Sequence, residues 1–203
     1  MFRSLLIAVA IVAVTVAIMP FDPALSRAAQ SFASGNEGLR SLAEASEHIL
    51  DPMLVLAGVV VYGVLNRVDR VRRFWILLGT VIAQSTLVNV MKDFFGRMRP
   101  DDRMASFAFH GPWDLGYNAF PGGHAAGAFA LATVFSAWYP RWRWVFYACA
   151  LLITLARIYL GRHFVSDCVI GACLGYWVAR VFLHYLEPRP VLPSPEPALD
   201  PEV

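Results

Sequence analysis

Lysine is all but missing from this 203-residue chain: of its 17 basic residues only Lys92 is a lysine, and the others are arginines. Charge of either sign is scarce. Asp, Glu, Lys and Arg make up 16% of the residues, where an average soluble domain has roughly 25%, while 58% are hydrophobic and mean hydropathy is +0.53. That balance excludes an ordinary water-soluble globule. A net charge of +2 and scattered arginines exclude a nucleic-acid surface, which needs a basic stripe interleaved with aromatics. Cysteine is rare as well. Cys149, Cys168 and Cys173 sit in or beside apolar runs with no CxxC or Cys/His ligand spacing, so they read as small packing residues rather than a disulfide framework or a metal centre.

Long apolar runs are what the chain has in quantity. A hydrocarbon core about 30 Å thick needs around 20 mostly apolar helical residues, and six stretches answer: roughly 3–19, 51–66, 74–95, 122–139, 143–161 and 166–186. The expected fold is all-α, a six-transmembrane-helix bundle forming a single domain over residues 1–186. Gly122, Gly123, Gly127, Gly171 and Gly175 fall in the fourth and sixth stretches, where small residues let helix backbones approach closely in lipid. The tail 187–203, with prolines at 188, 190, 193, 195, 197 and 201, is expected to be a disordered cytoplasmic segment. Connection 20–50 reads either as a solvated connector or as a short interfacial helix carrying Leu39, Leu42, Ile49 and Leu50.

Orientation follows from arginine, which is retained on the cytoplasmic side of short loops. Connection 67–73 holds Arg67, Arg70, Arg72 and Arg73; connection 140–142, extended by Arg143, holds Arg141 between Trp138, Tyr139, Trp142 and Trp144. Both are expected inside, which puts the termini inside and connections 20–50, 96–121 and 162–165 outside. An alternative makes residues 1–29 a cleaved signal peptide, with Arg3 before the apolar run and Arg27-Ala28-Ala29 as a cleavage context. The length of the run and Pro20-Phe21-Asp22-Pro23 favour a retained span.

The polar residues that fit a bundle least gather at the outer ends of several spans: Lys92, Arg97, Arg99, His124, Arg157, His163 and Asp167. Ionisable groups at such positions are costly and are functional candidates by default. Their types suit phosphoryl transfer. Lys92, Arg99 and Arg157 can neutralise a phosphoryl group, and His124 and His163 can serve as acid and nucleophile. Gly122 and Gly123 open a helix whose free N–H groups favour an anion, and Asp167, four residues after His163, is expected to hold one imidazole nitrogen and free the other.

Three segments carry these residues in a pattern that resembles the type 2 phosphatidic acid phosphatase superfamily, the lipid phosphate phosphatases related to vanadium haloperoxidases. Lys92-Asp-Phe-Phe-Gly-Arg-Met-Arg99-Pro100 is similar to the family's Lys, six residues, Arg-Pro. Pro121-Gly122-Gly123-His124 is similar to Pro-Ser-Gly-His, with Gly122 in place of serine; Ala156-Arg157, His163 and Asp167 match Ser-Arg, five residues, His, three residues, Asp, with Ala156 in place of serine. The likeness spans about residues 50–186. It implies that His163 attacks phosphorus to give a phosphohistidine and that Asp167 orients it. It implies further that His124 protonates the leaving group and then activates water. Lys92, Arg99 and Arg157, with the backbone at Gly122 and Gly123, would hold the phosphate oxygens. It implies no metal and no cofactor, because the cations take that electrostatic role.

The expected partners are a phosphorylated lipid substrate and membrane lipids, with no nucleic acid and no obligate protein partner; the expected place is a bacterial inner membrane with the site facing outward. A lipid phosphotransferase sharing the first half-reaction, or a non-catalytic phospholipid carrier, are the rival readings. The carrier does not need the His163 and Asp167 pairing. Arg97, Arg103 and Arg162 read as rim cations or solvated arginines, and Asp101, Asp102 and Asp114 as charge balance rather than ligands.

Overall fold

In the computed structural model, residues 2–45, 58, 62, 70–100 and 117–187 are described. These residues are helical throughout apart from their connections. In chain order they form α1 (Phe2–Ile18), α2 (Asp22–Ser34), α3 (Glu37–Ala45), α4 (Arg70–Phe95), α5 (Gly123–Trp138), α6 (Arg143–Tyr159) and α7 (Val165–Leu186), with short 3-10 turns at Met19–Phe21 and Pro140–Trp142. Of the six expected spans, the second falls outside the described residues except for Gly58 and Tyr62, both helical. Among the described residues three segments are long and apolar enough to cross a membrane, Val9–Ser34, Val71–Phe95 and Val165–Leu186. α5 and α6 are shorter, at 16 and 17 residues, or about 24–26 Å.

Connection 20–50 is not a solvated connector over its described part. Pro20 and Pro23 each sit at the first positions of a helical segment, where a missing N–H costs nothing. α1 therefore runs through the 3-10 turn into α2, and α2 and α3 pack against α6. The expected first span, 3–19, coincides with α1, and the apolar helical segment of membrane length, Val9–Ser34, continues from it through α2.

The centre of the bundle is the contact of α5 with α7. Their backbones touch, because a Cβ on Gly175 would lie 1.9 Å from the carbonyl oxygen of Ala126, and one on Gly171 only 2.3 Å from that of Gly122. Ala125, Ala126, Ala128, Ala130 and Ala132 line the buried side of α5, so small residues on both helices permit the approach. Ile76 and Leu77 of α4, Ala130 and Val134 of α5 and Ala179 and Leu183 of α7 close the core below. Large apolar side chains such as Val12, Val16, Trp75, Ile82, Val90, Leu152 and Trp177 face outward, the inside-out pattern of a helical bundle whose solvent is lipid.

One end of the bundle is aromatic and cationic. Arg73 lies 5.2 Å over Trp138, Tyr62 stacks on Trp138 at 5.6 Å, and the Tyr62 and Tyr139 hydroxyls are 3.2 Å apart. The arginine-bearing starts of α4 and α6 thus share an end. The opposite end gathers the C-terminal turns of α4 and α6 and the N-terminal turns of α2, α5 and α7, and holds every residue singled out for chemistry.

Candidate active site

α4 stops at Gly96, whose N–H bonds the Lys92 carbonyl at 2.9 Å and whose φ of +54° is open to glycine at little cost. The chain turns inward there and delivers Arg97 to the interior, 2% exposed. Arg97 is therefore no rim cation. Its guanidinium bonds Asp167 Oδ1 at 2.5 Å, Ser166 Oγ at 2.7 Å and Asp22 Oδ2 at 2.8 Å, and lies 4.2 Å over the Phe164 ring. Asp22, the first residue of α2, also receives the Ser166 hydroxyl and, at 3.1 Å, the Ser166 N–H. Asp22, Arg97, Ser166 and Asp167 are all essentially inaccessible, which is tolerable for charges only when paired and hydrogen-bonded.

His163 is not on a helix but in the turn before α7, whose cap residue is Phe164. Its Nδ1 is 2.7 Å from the carbonyl oxygen of Ala119 and 3.8 Å from Asp167 Oδ2. A carbonyl can only accept, so Nδ1 carries a proton and a neutral ring keeps its lone pair on Nε2. The expectation that Asp167 holds the imidazole by a hydrogen bond is corrected accordingly. Ala119 holds it, and Asp167 adds negative charge nearby while accepting the Phe164 N–H at 2.8 Å. Ala119 is itself fixed, its N–H bonding the Arg97 carbonyl at 2.9 Å. The Phe120-Pro121 peptide that follows is cis, and both residues are buried.

α5 starts with Gly122 as its cap, and Ala126 N–H to Gly122 C=O is its first turn bond. The Gly122 N–H is engaged by the Asp167 carbonyl at 2.9 Å. Of the two glycines expected to offer backbone to phosphate, Gly122 is therefore an anchor between α5 and α7. Gly123 and His124 have first-turn N–H groups with no intrahelical acceptor. A Cβ on Gly123 would lie 3.6 Å from Lys92 Nζ, and Lys92, Gly123 and His124 line one cavity of about 270 Å³. Arg99 Nε donates to Asn118 Oδ1 at 3.0 Å, and Arg99 and Asp167 both fall within Coulombic reach of Lys92. Arg157, 1% exposed in the last turn of α6, lies within reach of Cys168, the neighbour of Asp167.

All eight expected site residues thus lie at one end of the bundle: two imidazoles, a carboxylate, three cations and a helix N-terminus. This inventory can hold a phosphoryl group and pass it to nitrogen. Asp101, Asp102, Arg103 and Asp114 lie outside the described residues. Sequence reading missed Asp22, Ala119 and Ser166. Asp22 was discoverable, being an acid at the end of an apolar helix; Ala119 acts through its backbone, which residue type does not reveal.

Comparison with known proteins bears on the family and the fold. The PAP2 superfamily pattern matches residues 73–190, more than half the chain. A lipid A 1-phosphatase of Rhizobium johnstonii is 36% identical over 106 residues, 50% of this chain and 43% of that protein. A lipid A 4'-phosphatase of Helicobacter pylori is 27% identical over 127 residues, 61% of this chain and 62% of the relative. The chain thus spans under half the length of the first of these relatives. Among solved structures, LpxE of Aquifex aeolicus superposes with a TM-score of 0.68 at 22% identity, covering 81% of this chain and 96% of its own. A PAP2-type phosphatidylglycerolphosphate phosphatase of Bacillus subtilis gives 0.65 at 21%, covering 91% and 96%. These two likenesses concern the fold, and with the sequence match they lead to one conclusion: the chain belongs to the PAP2 superfamily.

Proposed function

We propose that this protein is an integral-membrane phosphatase that removes phosphate from a lipid phosphate or lipid diphosphate without a metal. His163 Nε2 attacks phosphorus, the bond from phosphorus to the lipid oxygen breaks, and His124 gives that oxygen a proton. Water then attacks the phosphohistidine as His124 takes its proton; the P–N bond breaks and inorganic phosphate leaves. Lys92, Arg99 and Arg157 hold the nonbridging oxygens together with the N–H groups of Gly123 and His124. The negative charge of Asp167 favours the imidazole as it becomes cationic.

The observation that carries the reading is the 2.7 Å bond from His163 Nδ1 to Ala119, which leaves Nε2 the nucleophilic atom in a cationic cluster. Lipid A, named for the curated relatives, is one substrate of the proposed class. The site is proposed to face the periplasm of a bacterial inner membrane. The shared position of the arginine-bearing helix ends opposite the site supports that sidedness.

Trapping labelled phosphate on detergent-purified protein tests the mechanism. His163→Ala is expected to lose turnover by at least about 10³-fold and to trap no phosphate. His124→Ala is expected to lose turnover yet still phosphorylate slowly from an ester with a good leaving group, which needs little protonation. Trapped phosphate in His163→Ala sinks the nucleophile assignment.

A further inference from the structure

The cavity that Lys92 and His124 share does not end at them. It follows the seam between α4 and α5 as far as Val81 and Leu131, three helical turns or about 16 Å along α4. Its middle is polar although it lies within an apolar span: Gln84, Ser85 and Asn89 line it on one side and Gly127 on the other. Polar side chains in a span are costly, and those facing a cavity mark ligand sites.

Gln84 is 6% exposed, and its bonding is incomplete. Its amide nitrogen donates to Ser85 Oγ at 2.8 Å, on its own helix, while its amide oxygen is buried with no hydrogen-bond partner. A glutamine that glued two helices together would bond across the seam. Here Gly127 faces it with no side chain, the amide nitrogen being 3.7 Å from where a Cβ would be. A buried acceptor of this kind calls for a partner that the protein itself does not supply.

Resting on the phosphatase reading above, we infer that this cavity is a subsite for the leaving group, and that it takes a headgroup carrying hydroxyl or amide N–H donors beside the phosphate. His124 at the cavity's phosphate end protonates the leaving oxygen, so what continues down the seam is the group attached to that oxygen. Gln84 Oε1 accepts from it. Ser85 Oγ, having accepted from Gln84, has its own proton to donate, and Asn89 one turn further along offers both functions. The apolar end at Val81, Ala130 and Leu131 receives the first carbons of an acyl chain. A polyprenyl phosphate or diphosphate places only hydrocarbon or a second phosphate there and leaves Gln84 unsatisfied. Sites built to bond a substrate hydroxyl reject the analogue that lacks it far more strongly than apolar pockets reject an extra methylene.

The test measures kcat/KM of purified protein on three esters. These are a glycolipid phosphate bearing free hydroxyl and N-acyl groups beside the phosphate, its deoxy analogue, and a polyprenyl phosphate. Wild type is expected to prefer the first over the other two by tenfold or more. Gln84→Leu is expected to reduce that preference at least tenfold, with Gln84→Met as a second variant of similar volume. An equal preference in wild type and both variants overturns the subsite, as does a wild-type preference for the polyprenyl ester. Hydrolysis of a simple aryl phosphate by wild type separates the two readings. Its presence with an unaltered preference refutes the subsite alone, and absence of phosphate release from every ester refutes the phosphatase with it.

Discussion

Arg97 is the residue whose role changes most once neighbours are known. It stands between Asp22 and Asp167 with side chains 3%, 0% and 0% exposed, and so neutralises charge that would otherwise be stranded. Arg97→Met is expected to leave two buried carboxylates uncompensated, a loss on the order of 3–5 kcal/mol. Thermal unfolding in detergent would show it as a large fall in Tm. Adding Asp22→Asn to that variant is expected to recover part of the loss, because one of the stranded charges is removed. Additive losses from the two substitutions would mean that the residues are not coupled. Asp22 lies outside the segment that matches the family pattern, so this pairing ties the N-terminal helices to the site.

At the scale of elements, α5 and α7 set the geometry because they carry His124 and Asp167 and touch backbone to backbone. Gly175→Ala would put a methyl group 1.9 Å from the Ala126 carbonyl oxygen, a backbone atom that cannot swing aside. The helices must separate, at a cost of about 1–3 kcal/mol for overpacking. Activity is expected to fall with stability, since the 2.9 Å bond from Gly122 N–H to the Asp167 carbonyl spans the same seam. Unchanged phosphate release from Gly175→Ala would show that the seam does not position the site.

For the whole molecule the expectation is sidedness. Single cysteines at Asp69 and Asn118, in a background lacking Cys149, Cys168 and Cys173, are expected to react with an impermeant maleimide from opposite sides of the membrane. Reaction from one side alone would overturn the outward-facing site. Turnover is also expected to persist in excess chelator, since in the proposed mechanism Lys92, Arg99 and Arg157 supply the positive charge that a metal would. Activity lost to chelation and restored by magnesium or calcium would reverse that.

By itself the sequence determined the helical class, the placement of most helices and which candidate site residues gather at one end of the bundle. Those follow from apolar run length, arginine asymmetry and the spacing of Lys92, Arg99, His124, Arg157, His163 and Asp167, all local along the chain. Only the tertiary structure decided what each polar atom bonds. Ala119 rather than Asp167 fixes the imidazole because a loop 44 residues earlier in sequence brings a carbonyl to 2.7 Å. Arg97 is interior because Gly96 turns the chain toward an aspartate 75 residues away. Hydrogen bonds are decided at tenths of an ångström between segments far apart in the chain, and residue type constrains which atoms can bond without saying which of them meet.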